Sequence, residues 1–180
     1  MKLLEKIIGP SQTACISNLA CVKNLDDIRR LLTRSIETKK FKGCLVSLDL
    51  NKAFDRVNHE YLWTVLRKFG FPTMFIDCLK NVYSKAASRI LINGFLSREI
   101  KISSSVRQGC PMSMVLFILY IEPLLRKIAN SITGVLVYDK FINVMAYADD
   151  IVVFIKSNAE FDLLLSIIES FSAVANIRLN

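Results

Sequence analysis

The chain of 180 residues is 52% hydrophobic with a mean hydropathy of +0.37, which suits one domain with a real core and excludes a disordered composition. Its net charge of +8 and pI near 9.4 fit a polyanionic partner such as a nucleic acid, although basic domains without one are common. Five cysteines (Cys15, Cys21, Cys44, Cys78 and Cys110) are odd in number and contain no close pair, which argues against a zinc site or a disulfide framework and for an intracellular, reducing compartment.

The opening MKLLEKIIGP lacks the long apolar region and small-residue cleavage site of a signal peptide. Apolar residues at Val22, Leu25, Ile28, Leu31, Leu32 and Ile36 then follow helical spacing, opposite a basic face of Arg29, Arg30 and Arg34. That face reads first as a solvated surface and second as a contact to a nucleic-acid backbone. Gly43 opens the strand-like run CLVSLDL, whose apolar residues occupy both alternating sets, predicting burial on both sides.

Asn58 is a good N-cap for a helix through HEYLWTVLRKF stopped by Gly70, with His59 an ordinary first-turn residue, and Pro72 starts a second helix to about Ser84. Asn93-Gly94 between β-forming runs predicts a hairpin. After the loop SSSVRQGCP, Pro111 begins a long helix to about Asn130 whose stripe Val115, Leu116, Leu119 reads as core. Its most apolar run is broken by Glu122 and Pro123, well short of the ~20 apolar residues of a bilayer span, so no membrane association is expected. A strand near Gly134 to Tyr138 follows. FINVMAYADDIVVFI then reads as two β runs meeting at Asp149 and Asp150, and Ser157 with Glu160 forms a capping box for a last helix. The order predicts an α+β fold with antiparallel pairing at its centre.

Three acids stand out. Asp49 lies in an otherwise apolar strand, where a lone carboxylate is costly to bury, and Asp149 and Asp150 repel each other at a hairpin tip unless a cation lies between them. On the acids alone, a solvated turn and a strand-end cap remain the plainer reading. If the strands are neighbours, the carboxylates suit two Mg²⁺ ions completed by substrate phosphates, the arrangement phosphoryl transfer needs.

The segments SLDLNKAFDRVNHEYL, VRQGCPMSMVLFILYIEPLL and AYADDIVVF, in this order, resemble the palm motifs of reverse transcriptases, and specifically those of non-LTR (LINE-type) retrotransposons. The resemblance implies a polymerase palm, an antiparallel sheet backed by helices, with partial fingers and no thumb. About 1–42 would be a fingers remnant, and about 43–180 a palm with an inserted fingers hairpin, cut at its C-terminal end. It also implies an RNA-directed DNA polymerase that uses dNTPs to extend a DNA primer on an RNA template with two Mg²⁺ ions, Mn²⁺ being an alternative.

Under that resemblance Asp49, Asp149 and Asp150 bind the metals, with the Leu50 backbone carbonyl as a further ligand. Phe54 stands at the steric gate, where its ring would collide with a ribose 2′-hydroxyl; this disfavours an RNA-dependent RNA polymerase on a similar palm. Gln108 and Gly109 line the nucleotide pocket, the glycine permitting close backbone approach; Arg107 contacts template or phosphate, and Tyr147 and Ala148 pack beneath the primer end.

The chain also departs from the family. An arginine expected near Leu19 is missing, and Ser105 and Met114 stand where glycine and proline are usual. ANIRLN resembles the start of a motif that continues to a lysine beyond Asn180. The expectation is a piece of a longer polyprotein, without its endonuclease and thumb, showing little synthesis by itself. The alternative is a non-catalytic retroelement remnant with at most nucleic-acid binding. A retroelement product is expected in nucleus and cytoplasm.

Overall fold

The computed structural model describes residues 4–16, 24–30, 33, 43–107, 109–137 and 140–180. Its first half contains α1 (Leu4–Ile7), a helical stretch over 24–30 (α2), β1 (Cys44–Leu48), α3 (His59–Lys68) and α4 (Thr73–Ser84). Four short strands follow, β2 (Ala87–Ser88), β3 (Leu91–Ile92), β4 (Phe95–Leu96) and β5 (Ile100–Lys101). The remainder is α5 (Pro111–Ser131), β6 (Val135–Val137), β7 (Lys140–Ile142), β8 (Val144–Tyr147), β9 (Asp150–Ile155) and α6 (Asn158–Ala175).

Local signals set most boundaries as the sequence predicts. The Asn58 side chain accepts a hydrogen bond from Tyr61 N at the start of α3, and Pro111 occupies the first turn of α5. Asn93 and Gly94 have φ of +49° and +86°, the left-handed pair of a tight hairpin, and β3 pairs with β4 around them. Ser157 Oγ accepts from Glu160 N at the start of α6. The Glu160 carboxylate does not close the box on Ser157; it accepts instead from Lys156 N and Thr133 N, tying the helix start to the end of α5.

The central sheet is antiparallel in the order β1-β9-β8. Ile151, Val153 and Ile155 on one face pack with Leu62 and Leu66 of α3, Leu116, Phe117 and Ile121 of α5, and Leu164 and Ile168 of α6. Each such fully buried side chain contributes roughly 1.5–3 kcal/mol. On the opposite face Val152 and Phe154 meet Met145, Val135, Ile142 and Ile28 of α2 in a smaller cluster.

That second cluster does not reach β1, which corrects the expectation of a strand buried on both sides. Cys44, Leu45 and Ser47 are exposed, and within β1 only Leu48, next to the acid, is fully buried. The physical reason is cover: α2 and the β6–β7 hairpin lie over β9 and β8 on this face, and their cluster includes no residue of β1. Of the predicted first helix, 24–30 is helical with Arg29 and Arg30 exposed; Leu25, assigned to the apolar face, is 63% exposed. Cys21, Leu31, Leu32, Arg34 and Ile36 lie outside the described residues.

The run before the paired acids also divides, contrary to a single strand from Phe141. Asn143 Nδ2 donates to the carbonyls of Ala129 and Ile132 at the end of α5, and its Oδ1 accepts from Val144 N. Gly134, at φ +73°, lies so close that an added Cβ would fall 2.2 Å from the Ile142 carbonyl. Phe141 and Ile142 therefore pair with β6, and only Val144 onward pairs with β9.

Candidate active site

Strand register brings the acids together. Leu48 pairs with Ile151, so continuing the ladder by one residue sets Asp49 opposite Asp150, and directly opposed antiparallel residues share a face. Asp150 also pairs with Tyr147, which leaves Ala148 and Asp149 as the two-residue turn between β8 and β9. Asp49 and Asp150 are exposed and Asp149 half-exposed, at the end of a sheet whose next residues, Leu48 and Ile151, are buried.

The C-terminal residues complete this end of the sheet, a role the sequence did not disclose. Asn51 N donates to Arg178 O (2.8 Å), and Asn180 N donates to Asp49 O (3.0 Å), flanking a bridge between Leu50 and Leu179. The Leu50 carbonyl takes no part in that bridge. Side chains form a relay alongside: Arg56 Nε donates to Asn51 Oδ1, Asn51 Nδ2 to Asn180 Oδ1, and Asn180 Nδ2 to Asp49 Oδ2 at 2.8 Å. One Asp49 oxygen is thereby fixed, which orients the other.

The N-terminal segment supports the paired acids from the opposite edge. Ser11 and Thr13 exchange backbone bonds with Ala146, and Gln12, 2% exposed, hydrogen-bonds both the N–H and the carbonyl of Ala148. Sequence reading passed over Gln12 because a single amide beside a turn has no chemical signature until its partner, 136 residues away, is known.

Phe54 is half-buried and stacks on Phe117 with ring centroids 4.4 Å apart; Phe117 in turn lies 6.4 Å from Tyr120. Tyr120 anchors this column, its hydroxyl donating to Ala175 O and accepting from Asn58 N. Burial pushes that hydroxyl up to about 12, with the Asn58 bond opposing, so it stays a donor at neutral pH.

The loop before α5 is laid against the same segment. Val106 N donates to Phe54 O and Ser105 N to Val57 O, which docks the loop leading to Arg107 on the Phe54–Val57 segment. Arg107 is exposed, and its carbonyl accepts from Ser113 Oγ. An added Cβ at Gly109 would meet nothing within 4 Å; its φ of +82°, rather than a close approach within the chain, is what calls for glycine. Gln108 lies outside the described residues. Ser105 holds φ +96° without being glycine, a strained geometry, and its carbonyl is 2.8 Å from His59 Nε2.

Among the described residues, no three His, Cys, Asp or Glu side chains are gathered closely enough to hold a metal by themselves. Mg²⁺ rarely uses an all-protein cage; one or two carboxylates with water and substrate phosphates suffice. The opposed, exposed Asp49 and Asp150 supply hard oxygen donors of that kind, so the residues present fit the ion.

A family model described as reverse transcriptase (RNA-dependent DNA polymerase) matches residues 1–180. The chain belongs to the reverse transcriptase family. It is 32% identical over 180 residues to the transposon TX1 uncharacterized 149 kDa protein of Xenopus laevis, covering 99% of this chain and 14% of that protein. It is 31% identical over 172 residues to the Retrovirus-related Pol polyprotein from type-2 retrotransposable element R2DM of Drosophila melanogaster, covering 95% of this chain and 16% of that protein. These relatives are non-LTR retrotransposon proteins, in agreement with the Arg107–Pro111 and Tyr147–Asp150 motifs.

Among solved structures, apo telomerase from Candida tropicalis superposes with a TM-score of 0.69 at 12% identity, covering 99% of this chain and 34% of that one. The same telomerase truncated from its C-terminal domain gives 0.65 at 15% identity, covering 98% and 36%. The reverse transcriptase fold shared with them is a polymerase palm, so the α+β reading holds. Reverse transcriptases in general use divalent metal ions.

Proposed function

We propose that the chain carries the nucleotidyl-transfer site of an RNA-directed DNA polymerase, which adds deoxynucleotides to a DNA 3′-hydroxyl on an RNA template. The observation that carries this reading is the register that sets Asp49 opposite Asp150, with Asp149 in the adjoining turn, in a chain of this family. Asp49, Asp149 and Asp150, with the Leu50 carbonyl, would hold two Mg²⁺ ions, or Mn²⁺ in their place. Bound there, the ions would lower the pKa of the attacking hydroxyl and neutralise the departing pyrophosphate.

The protein's own groups do the positioning. Asn180 orients Asp49, and the aromatic column under Phe54 holds its ring where a 2′-hydroxyl would clash. Arg107, Gln108 and Gly109 would meet the incoming nucleotide's phosphates and sugar. In this reading about 1–42 belongs to the fingers and about 43–180 to the palm, and other parts of a parent polyprotein hold primer and template.

Primer extension with dTTP on poly(rA)/oligo(dT) tests the proposal. A longer polyprotein carrying this domain should show Mg²⁺-dependent synthesis that Asp149→Ala reduces to background, whereas the 180 residues alone should give little or none. Undiminished synthesis by Asp149→Ala would sink the metal assignment. Salt-dependent RNA binding without incorporation by the polyprotein would select the non-catalytic reading.

A further inference from the structure

We infer that Gln12 is a positioning residue for the paired acids, clamping the turn that carries Asp149. The inference rests on the metal-site reading above and adds to it a residue to which the sequence assigns no role.

The β8–β9 turn needs an external hold. Ala148 sits at φ +54°, a left-handed conformation costing a non-glycine residue roughly 1–2 kcal/mol, and it lies outside the ladder, whose last pair is Tyr147 with Asp150. The sheet order leaves the outer edge of β8 free, and the N-terminal segment occupies it: Ala146 N donates to Ser11 O (2.7 Å) and Thr13 N to Ala146 O (2.9 Å). Gln12 bridges to Ala146 in parallel, and its side chain reaches the turn.

There the amide uses both of its ends. Oε1 accepts from Ala148 N (3.0 Å) and from Ala14 N (3.0 Å), while Nε2 donates to Ala148 O (3.3 Å). The peptide groups on both sides of Ala148 are thus fixed immediately before Asp149, by a side chain shielded from competing water. A carboxylate could accept the two N–H bonds but would set an oxygen against the Ala148 carbonyl and bury a charge. An apolar side chain of equal length would make none of the three bonds. Only an amide of this reach satisfies the turn.

The test separates positioning from folding. Mn²⁺ binding to this chain, followed by electron paramagnetic resonance, should weaken about tenfold in Gln12→Met, as for other residues that orient metal ligands. Thr13→Val removes a hydroxyl donated to Ala146 O from the same segment without touching Ala148. It should lower the melting temperature and leave Mn²⁺ affinity unchanged. In the unaltered protein, the Ala148 amide should exchange with solvent on the order of a hundredfold more slowly than an open turn, a measurement that needs no variant to fold.

Wild-type Mn²⁺ affinity in folded Gln12→Met, an equal loss in Thr13→Val, or rapid Ala148 exchange would each overturn the role of Gln12. If Asp149→Ala leaves Mn²⁺ binding intact, the metal assignment itself is what fails. Loss of binding in Asp149→Ala beside unchanged Gln12→Met overturns the positioning role alone.

Discussion

Two turns in this molecule are built on opposite principles. The hairpin at Asn93-Gly94 takes its shape from its own two residues: both have positive φ, and nothing lies within 4 Å of a Cβ added to Gly94. Around it Leu91, Ile92, Phe95 and Leu96 are all more than 60% exposed, so no core fixes it. The turn at Ala148-Asp149 has no glycine and little local preference for its geometry. It is held by Gln12 from one side of the sheet, while Asn180 steadies Asp49 on the other. A turn written in local residues can be exposed and autonomous; the one that carries Asp149 is fixed by distant parts of the chain, which also lets those parts set its position.

That contrast can be broken by experiment. The largest effect on the local side should come from Gly94→Ala, which forces a Cβ into the left-handed region at a cost of about 1–2 kcal/mol. Amide exchange across Leu91–Leu96 should accelerate about tenfold, while Mn²⁺ binding stays unchanged. A parallel loss of metal affinity would show that the two turns are coupled after all.

Ser105 sits between the two regions, in the loop that leaves the hairpin and docks on Val57. Its φ of +96° belongs to glycine, so Ser105→Gly should stabilise the fold by about 1 kcal/mol in urea unfolding. No gain would mean that the docking bonds alone shape the loop.

The smallest effect should be a pH slope from Glu122. This carboxylate is 1% exposed, accepts from Gly9 N and Arg126 Nε, and leaves Oε2 without a partner among the described residues. Burial raises its pKa above the usual 4.5, with the Arg126 and Gly9 bonds opposing. The folded state therefore holds the proton more tightly than the unfolded chain, and stability falls as pH rises from about 4.5 through the raised value. Glu122→Gln should flatten that slope in urea titrations at several pH values. Because Glu122 grips Gly9, three residues before Gln12, the slope also reports how firmly the clamping segment is rooted.

Legibility followed the range of the interaction. Asn58, Pro111, Ser157 and the Asn93-Gly94 pair act within a few residues of themselves, and each marked its element correctly. The division at Asn143 was not legible because Phe141–Ile142 and Val144–Tyr147 are equally β-forming; what separates them is the end of α5, which Asn143 caps. The exposure of β1 was not legible because apolar composition does not reveal which strands other elements will cover.

By itself the sequence determined most helix starts, the α+β class and the family, and it singled out the three acids with Phe54 as candidates, since these depend on residue type and short spacing. Only the tertiary structure decided that Asp49 stands opposite Asp150, that Phe54 rests on an aromatic column, and that Gln12 and Asn180 brace the acids from two edges. The physical reason is that a hydrogen bond between groups 131 or 136 residues apart depends on strand order and register, which are set by the packing of the whole core and written in no single segment.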